Sequence, residues 1–258
     1  MNKYWAERQA KAQAELTARN VKQTEKQLIK YYQKAMKSVI ADFEATYVKL
    51  ASYIGKRDAT PADLYQLDRY WELQGQLQAK LEALGNKELE LLAKNFRAEY
   101  MGISSIASLP SGKAFSTMSD EAVTQMINSI WCADGKTWSN RVWTNTERLR
   151  ETLNDNLINC VLTGKRTTEL KKILQADFDV AYYRADSIVR TEMAHIQTEA
   201  ARKRYEDYGV EQVEILADED ERRCPECAKM HEKRFFITEA IPVPVHTNCR
   251  CCIVPVVD

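Results

Sequence analysis

The stretch CPECAKMHEKRFFITEAIPVPVHTNCRCC, residues 224–252, carries five of the chain's seven cysteines and two of its three histidines. Cys224-Pro225-Glu226-Cys227 is a C-x2-C knuckle, a turn that points two thiolates at one ion about 2.3 Å away. After eighteen intervening residues, His246-Thr247-Asn248-Cys249 repeats the i, i+3 spacing. The whole reads C-x2-C-x18-H-x2-C, close to a four-ligand structural zinc site. Side chains of an extended segment alternate, so Cys251 shares a face with Cys249 and competes with Cys249 or His246 for a place in the shell. His231 is a further competitor. The predicted ligands are thus Cys224, Cys227, His246, Cys249 and Cys251, and the predicted cofactor is zinc. The plainer alternative is a set of reduced core thiols or an adventitious disulfide. Four protein ligands close the tetrahedron, which makes the site structural. A tail this short buries too little apolar surface to fold alone, and the metal stands in for a core.

Around this cluster the pattern is β-like. VEQVEIL alternates, KRFFI is a second short run and CCIVPVV a third. Upstream the period is helical. Leu28, Tyr32, Ala35, Val39, Phe43, Tyr47, Leu50 and Ile54 form one stripe of a long helix, and the polar residues before Leu28 read as a frayed arm awaiting a partner. Thr60 and Pro61 open a second helix that Gly85 stops, and a third runs from Lys87 to Tyr100. Ser119 caps a short helix ending near Trp131, and another runs from Ser139 to Leu162 before Gly164. Thr167 or Thr168 caps a brief helix to Gln175. The strongest helix follows, from Val180 to Tyr208, with Tyr182, Ala185, Val189, Met193, Ile196 and Ala200 buried and Gly209 as its stop. The expected fold is α+β, a predominantly helical body with a small C-terminal β-rich, zinc-stapled module. Its divisions are a long-helix interaction arm at 1–101, a Ser/Gly-rich linker at 102–119 and a domain at 120–258 with the metal module at 210–258. Cys132 and Cys160 read as small residues of helix cores.

Composition narrows the functions. Lys+Arg and Asp+Glu both number 37, so no global charge argues for nucleic acid or an acidic membrane. Residues 1–50 hold ten basic against five acidic side chains, a local excess that suits an acidic partner or a solvated helix face. No run reaches the ~18 apolar residues of a membrane span. The start MNKYWAERQAKAQAEL has no apolar core of a secretory signal, so the expected compartment is the reducing cytoplasm, where clustered cysteines favour metal over disulfides. No P-loop, G-x-G-x-x-G, H-E-x-x-H or zinc-deaminase signature occurs, and no catalytic residue is assigned.

One more segment stands out: SIVRTEMAHIQTEA, with Arg190, Glu192 and His195 on one helix. Arg190 lies about 160° around the axis from Glu192, so it pairs elsewhere, with Asp186 one turn back as the local choice. Glu192 sits on the flank of the buried stripe and needs a donor from outside its helix, an Arg or a backbone N–H of the β-unit. Asp220 and Arg222, just before the knuckle, read as braces of the turn.

The combined order of Arg190-Thr191-Glu192, Asp220-Glu221-Arg222-Arg223-Cys224-Pro225-Glu226-Cys227 and His246-Thr247-Asn248-Cys249-Arg250-Cys251 resembles the phage head-morphogenesis family, the Mu F-like minor capsid proteins, over residues 137–258. Met230-His231-Glu232 stands where that family has a Leu-Asp-Gly-like turn, and Pro242 and Pro244 are displaced from its usual Pro-His pair. The resemblance implies a low-copy virion component in the head interior, made in the bacterial host cytoplasm. Its implied partners are the portal protein and other head proteins, with packaged DNA a further one, and its role lies in packaging or ejection of that DNA. It implies no membrane and no small-molecule substrate. Two other readings compete. One is a zinc-dependent hydrolase acting on DNA or protein, with Glu192 and His195 near the metal. The other is a zinc-ribbon nucleic-acid binder using Arg222, Arg223 and Arg250.

Overall fold

Apolar residues three and four apart produce helices longer than the Gly and Thr punctuation suggested. The computed structural model describes residues 3–54, 68–107, 118–132, 134–218 and 220–256. In chain order its elements are α1 (Lys3–Ile54), α2 (Asp68–Ile106), α3 (Asp120–Ile127), α4 (Trp138–Leu162), α5 (Thr167–Asp207), β1 (Gln212–Leu216), α6 (Pro225–Met230), β2 (Arg234–Phe236) and β3 (Cys252–Val256). This is the expected α+β arrangement of helices followed by a small antiparallel sheet. The predicted start at Thr60 lies outside the described residues.

Several boundaries differ from expectation for identifiable reasons. Gly85 does not end a helix, because α2 runs through it. A Cβ there would stand 2.8 Å from Cζ3 of Trp143, so the glycine serves close helix packing instead of a C-cap. The helix reaches Ile106, which removes residues 102–106 from the expected linker; most of the rest of that linker, 108–117, is outside the described residues. Nor is there a break at Gln175: α5 is continuous from Thr167, since the segment between holds no Gly or Pro to stop it. The short helix capped by Ser119 closes at Ile127, before Trp131. Cys132 is half-buried in a bend after it, whereas Cys160 is buried in α4 as expected.

The segment before Leu28 is helical from Lys3, not frayed. Its inward polar residues find partners, and two of them, Gln13 and Thr24, are fully buried. Gln13 Nε2 donates to the Tyr205 hydroxyl at 2.9 Å. The Thr17 hydroxyl and the Asn20 amide both donate to the Glu99 carboxylate, and Asn95 Nδ2 donates to Thr24 Oγ1 at 2.8 Å.

The chain divides into two compact units. The first comprises Met1–Glu25, Leu92–Trp138 and Ser187–Asp258. Its sheet has the order β2-β1-β3, both pairs antiparallel, with Glu214 opposite Arg234 on one side and Val254 on the other. Val213, Ile215 and Ile253 are fully buried on one face, and the Tyr205 hydroxyl on α5 lies 3.4 Å from the Ile253 carbonyl. Pro255 on edge strand β3 has no N–H to offer a further strand. The second unit comprises Lys26–Leu91 and Ser139–Asp186. Leu28, Tyr32, Val39 and Phe43 of the predicted stripe are buried in it, together with Leu77, Leu81, Leu153 and Phe178.

Candidate metal centre

Three short segments of the first unit deliver the soft donors. Cys224 is the N-cap of α6, with Pro225 at the first helical position, and its sulfur accepts from the Cys227 backbone N–H at 3.3 Å. That hydrogen bond holds the Cys224 thiol below its ordinary range. One turn along α6, Cys227 faces the same point and is buried, which pushes its thiol up to about 12. The closing loop brings His246, whose Nε2 lies 3.1 Å from both Cys224 Sγ and Cys227 Sγ. Cys249 Sγ is 3.8 Å from Cys227 Sγ.

The spacing of the two buried sulfurs suits a tetrahedral ion. Metal–sulfur bonds of about 2.3 Å at the tetrahedral angle set neighbouring sulfurs roughly 3.8 Å apart, the Cys227–Cys249 separation. His246 Nδ1 stands 2.7 Å from the Thr247 carbonyl, so a neutral ring that donates its proton there presents the Nε2 lone pair to the sulfurs. The donors fall into two groups that share Cys227: Cys224, Cys227 and His246 in one, Cys227, Cys249 and Cys251 in the other. Within each group the donor atoms lie within 4.8 Å of one another. This Cys-rich cluster could hold a metal. A hydrogen bond from Cys251 lowers Cys249 to about 5, and the same contact raises Cys251. Cys252 is buried and sits at about 12, with its side chain outside both groups. His231 is also in neither group; its Nδ1 accepts from the Ala217 N–H at 3.2 Å.

The R-T-E turn of α5 holds this loop from behind. Thr191 Oγ1 donates to the Ser187 carbonyl at 2.7 Å and accepts from the Asn248 N–H at 3.1 Å. Asn248 has φ +62°, a left-handed conformation that a short polar residue tolerates between the two ligands of its knuckle. Arg190 pairs with Glu25 of α1, a partner from the far end of the sequence. Glu192 is 2% exposed and accepts from the Trp131 indole N–H at 2.9 Å. The His195 ring is stacked on Trp131, centroids 4.2 Å apart and 10° between planes.

Arg250, between Cys249 and Cys251, forks onto two carboxylates. Its NH1 lies 2.8 Å from Asp218 Oδ2 and 2.7 Å from Asp220 Oδ2, and its NH2 lies 2.6 Å from Asp220 Oδ1. Arg222 Nε adds a bond of 3.2 Å to Asp220. These cations, Arg250 foremost, hold Asp220 well below the usual carboxylate range. Asp220 therefore braces the knuckle's approach against the strand that bears the last cysteines. Trp131 and Arg250 were not among the sequence-predicted docking residues. Arg250 carried a local signal, its place between two cysteines, whereas Trp131 contacts Glu192 across 61 residues and carried none.

Among family models, residues 151–254 match Phage Mu protein F like protein. The matched stretch is shorter than the motifs suggested, about two-fifths of the chain, and contains the R-T-E turn and all five clustered donors. It supports a Mu F-like, phage-head-related protein. No curated protein and no solved structure matches the chain.

Proposed function

We propose, on the premise that residues 151–254 form a Phage Mu protein F like segment, that this chain is a minor capsid protein of a phage or prophage head. In this reading it is made in the host cytoplasm and enters the virion in few copies. It lies in the head interior beside the portal and takes part in packaging or ejecting DNA. It acts as a building block, not a catalyst. Among the described residues no helix is long and apolar enough to cross a membrane, in keeping with a head component.

The observation that carries the reading is the juncture of the matched motifs. Thr191 of the R-T-E turn receives the N–H of Asn248, inside the loop that brings His246 and Cys249 to the C-x2-C knuckle. A zinc ion bound by Cys224, Cys227, His246 and Cys249 would join α6, the closing loop and β3 into one rigid end. Cys251 serves that shell through its hydrogen bond to Cys249. Glu192 and His195, the acid–base pair of a hydrolase reading, are taken up by contacts with Trp131, which favours packing over turnover.

Mass spectrometry of purified virions and proheads tests the placement, and consistent absence of the polypeptide from both defeats it. Metal analysis of the purified protein tests the clamp. One equivalent of zinc is expected in the native chain and in Cys251→Ser, with loss in Cys224→Ser, Cys227→Ser, His246→Ala and Cys249→Ser.

A further inference from the structure

The outward face of α1 in the second unit carries one sign of charge. At about 100° per residue, Gln33, Lys26, Lys37, Lys30, Lys34 and Gln27 fill an arc of about 120°, and no other residue of 26–37 falls within it. All six are exposed. The buried Leu28, Tyr32, Val39 and Phe43 lie about 180° away. The next carboxylate on this flank is Glu44, about 10 Å beyond Lys37 along the axis.

Several cations elsewhere in the chain stand beside acids: Lys11 with Glu15, Arg150 with Glu147, and Lys203 with Glu206 and Asp207. Among the described residues, none of the four lysines on the arc has an ion pair or a hydrogen bond. Like charges three and four apart on a helix repel. Lys26, Lys30 and Lys34 are four apart and Lys37 is three further on, so this face holds a repulsion that no described side chain offsets. An anionic partner would remove it.

The pattern selects the kind of anion. Four ammonium groups spread over about 17 Å of helix match a line of charges better than a single one. Duplex DNA presents such a line, because about 17 Å of its axis carries about five phosphates on each strand. Lysine is a compact donor that meets phosphate oxygens from any direction. Carboxylates are matched better by the planar fork of arginine, and the arc has none. The interleaved amides of Gln27 and Gln33 can donate to phosphates as well. No aromatic ring stands on the arc to stack unpaired bases, which favours a duplex over a single strand.

We infer that this face of α1 is a docking surface for double-stranded DNA, held by Lys26, Lys30, Lys34 and Lys37 through the phosphate backbone without sequence preference. It gives the proposed head protein a contact with DNA but rests on the charge of α1 alone. Purified chain and free duplex therefore test it whether or not virions contain the polypeptide.

The test is fluorescence anisotropy of a short labelled duplex titrated with the full chain over a series of salt concentrations, with zinc content measured in the same samples. Affinity is expected to fall with salt at a log–log slope of about −3 to −4, the value for four phosphate contacts. Lys30→Gln/Lys34→Gln keeps helix propensity and is expected to leave the circular dichroism unchanged. The same variant is expected to weaken binding at least about tenfold at low salt and to make the slope shallower by about 2. Lys30→Arg/Lys34→Arg is expected to retain both affinity and slope. Lys171→Gln/Lys172→Gln, at exposed lysines of α5 in the same unit, is the control and is expected to change neither. A chain with no salt-dependent affinity for duplex overturns the inference, as does a Lys30→Gln/Lys34→Gln variant that binds like the native chain. So does an equal loss in the control, or tighter binding of the single strand. Binding of polyglutamate that the same substitutions abolish, with none of duplex, would assign the face to an acidic protein and overturn it too.

Discussion

Thr191 shows how one hydroxyl links two sequence motifs. It lies in the R-T-E turn, yet its acceptor function is directed at Asn248, two residues from His246 and one from Cys249. Partners behind a ligand loop are worth about 10- to 100-fold in metal affinity. Thr191→Val keeps the shape and removes the acceptor, so zinc affinity is expected to fall about tenfold while the thermal midpoint of the zinc-loaded chain moves little. Thr191→Ser is expected to retain affinity. Competition with a chromophoric chelator reads both, and equal affinity in Thr191→Val would show the contact to be incidental. Glu88 offers a second residue-scale expectation. Burial raises its carboxyl from 4.5 to about 7, with the Tyr32 hydroxyl donating to it at 3.0 Å. Between those values the folded chain keeps a proton that the unfolded chain has lost. Stability therefore declines as pH rises from 4.5 to about 7 and is level above. Glu88→Gln removes that titration. Its gain over wild type should approach about 3 kcal/mol above neutrality and vanish at acid pH, measured by denaturant titration across the range. Which of these residues could be read from sequence depended on distance along the chain. The i, i+3 spacings that gather the soft donors are local and were legible; the Arg190–Glu25 pair spans 165 residues and was not.

Elements follow the same logic. Ser119 at an N-cap, Gly164 at φ +61° and Gly209 at φ +77° act on their own neighbours, and the helix ends they mark stand where the sequence placed them. The three strands were legible because alternation is a local period. Gly85 was misread because a glycine has two uses, a left-handed stop or room for a neighbour, and only packing decides between them. Helix α6 was missed although Pro225 at its first position and Cys224 at its cap signalled it, because the C-x2-C spacing was read only as a turn. Two of the three glycines of α2 give a paired prediction. Gly75 has nothing within 4 Å of a built Cβ, so Gly75→Ala is expected to stabilise by about 0.5–1 kcal/mol through helix propensity alone. Gly85→Ala gains the same propensity but drives its methyl into the Trp143 ring and Thr146, a clash expected to leave a net loss of about 1–2 kcal/mol. Thermal unfolding of the two variants side by side checks the sign of each. A stabilised Gly85→Ala would mean that the Trp143 ring yields freely.

At the scale of the whole molecule, sequence divides the chain at residues 102–119, whereas the compact units interleave, each drawing on segments from both halves. Periodicity reports which face of a helix is buried but not which distant helix covers it, so this interleaving had no local trace. The units also differ in what stabilises them. The second, with Leu77, Leu81, Leu153 and Phe178 fully buried, rests on helix packing. The first ends in a sheet whose β2 has three residues, with the soft donors gathered in the loops around it. Small sheets need a second support, and a metal held by the cysteine cluster would be that support. Exhaustive chelation under reducing conditions is therefore expected to act unevenly. Amides of β1, β2 and β3 should lose hydrogen-exchange protection, while those of Lys26–Leu91 and Ser139–Asp186 retain most of theirs. Restoring zinc should return the protection of the strands in step with metal uptake. Strands that stay protected after the metal is gone, with all five thiols open to alkylation, would mean that the cysteines stabilise this end by packing alone.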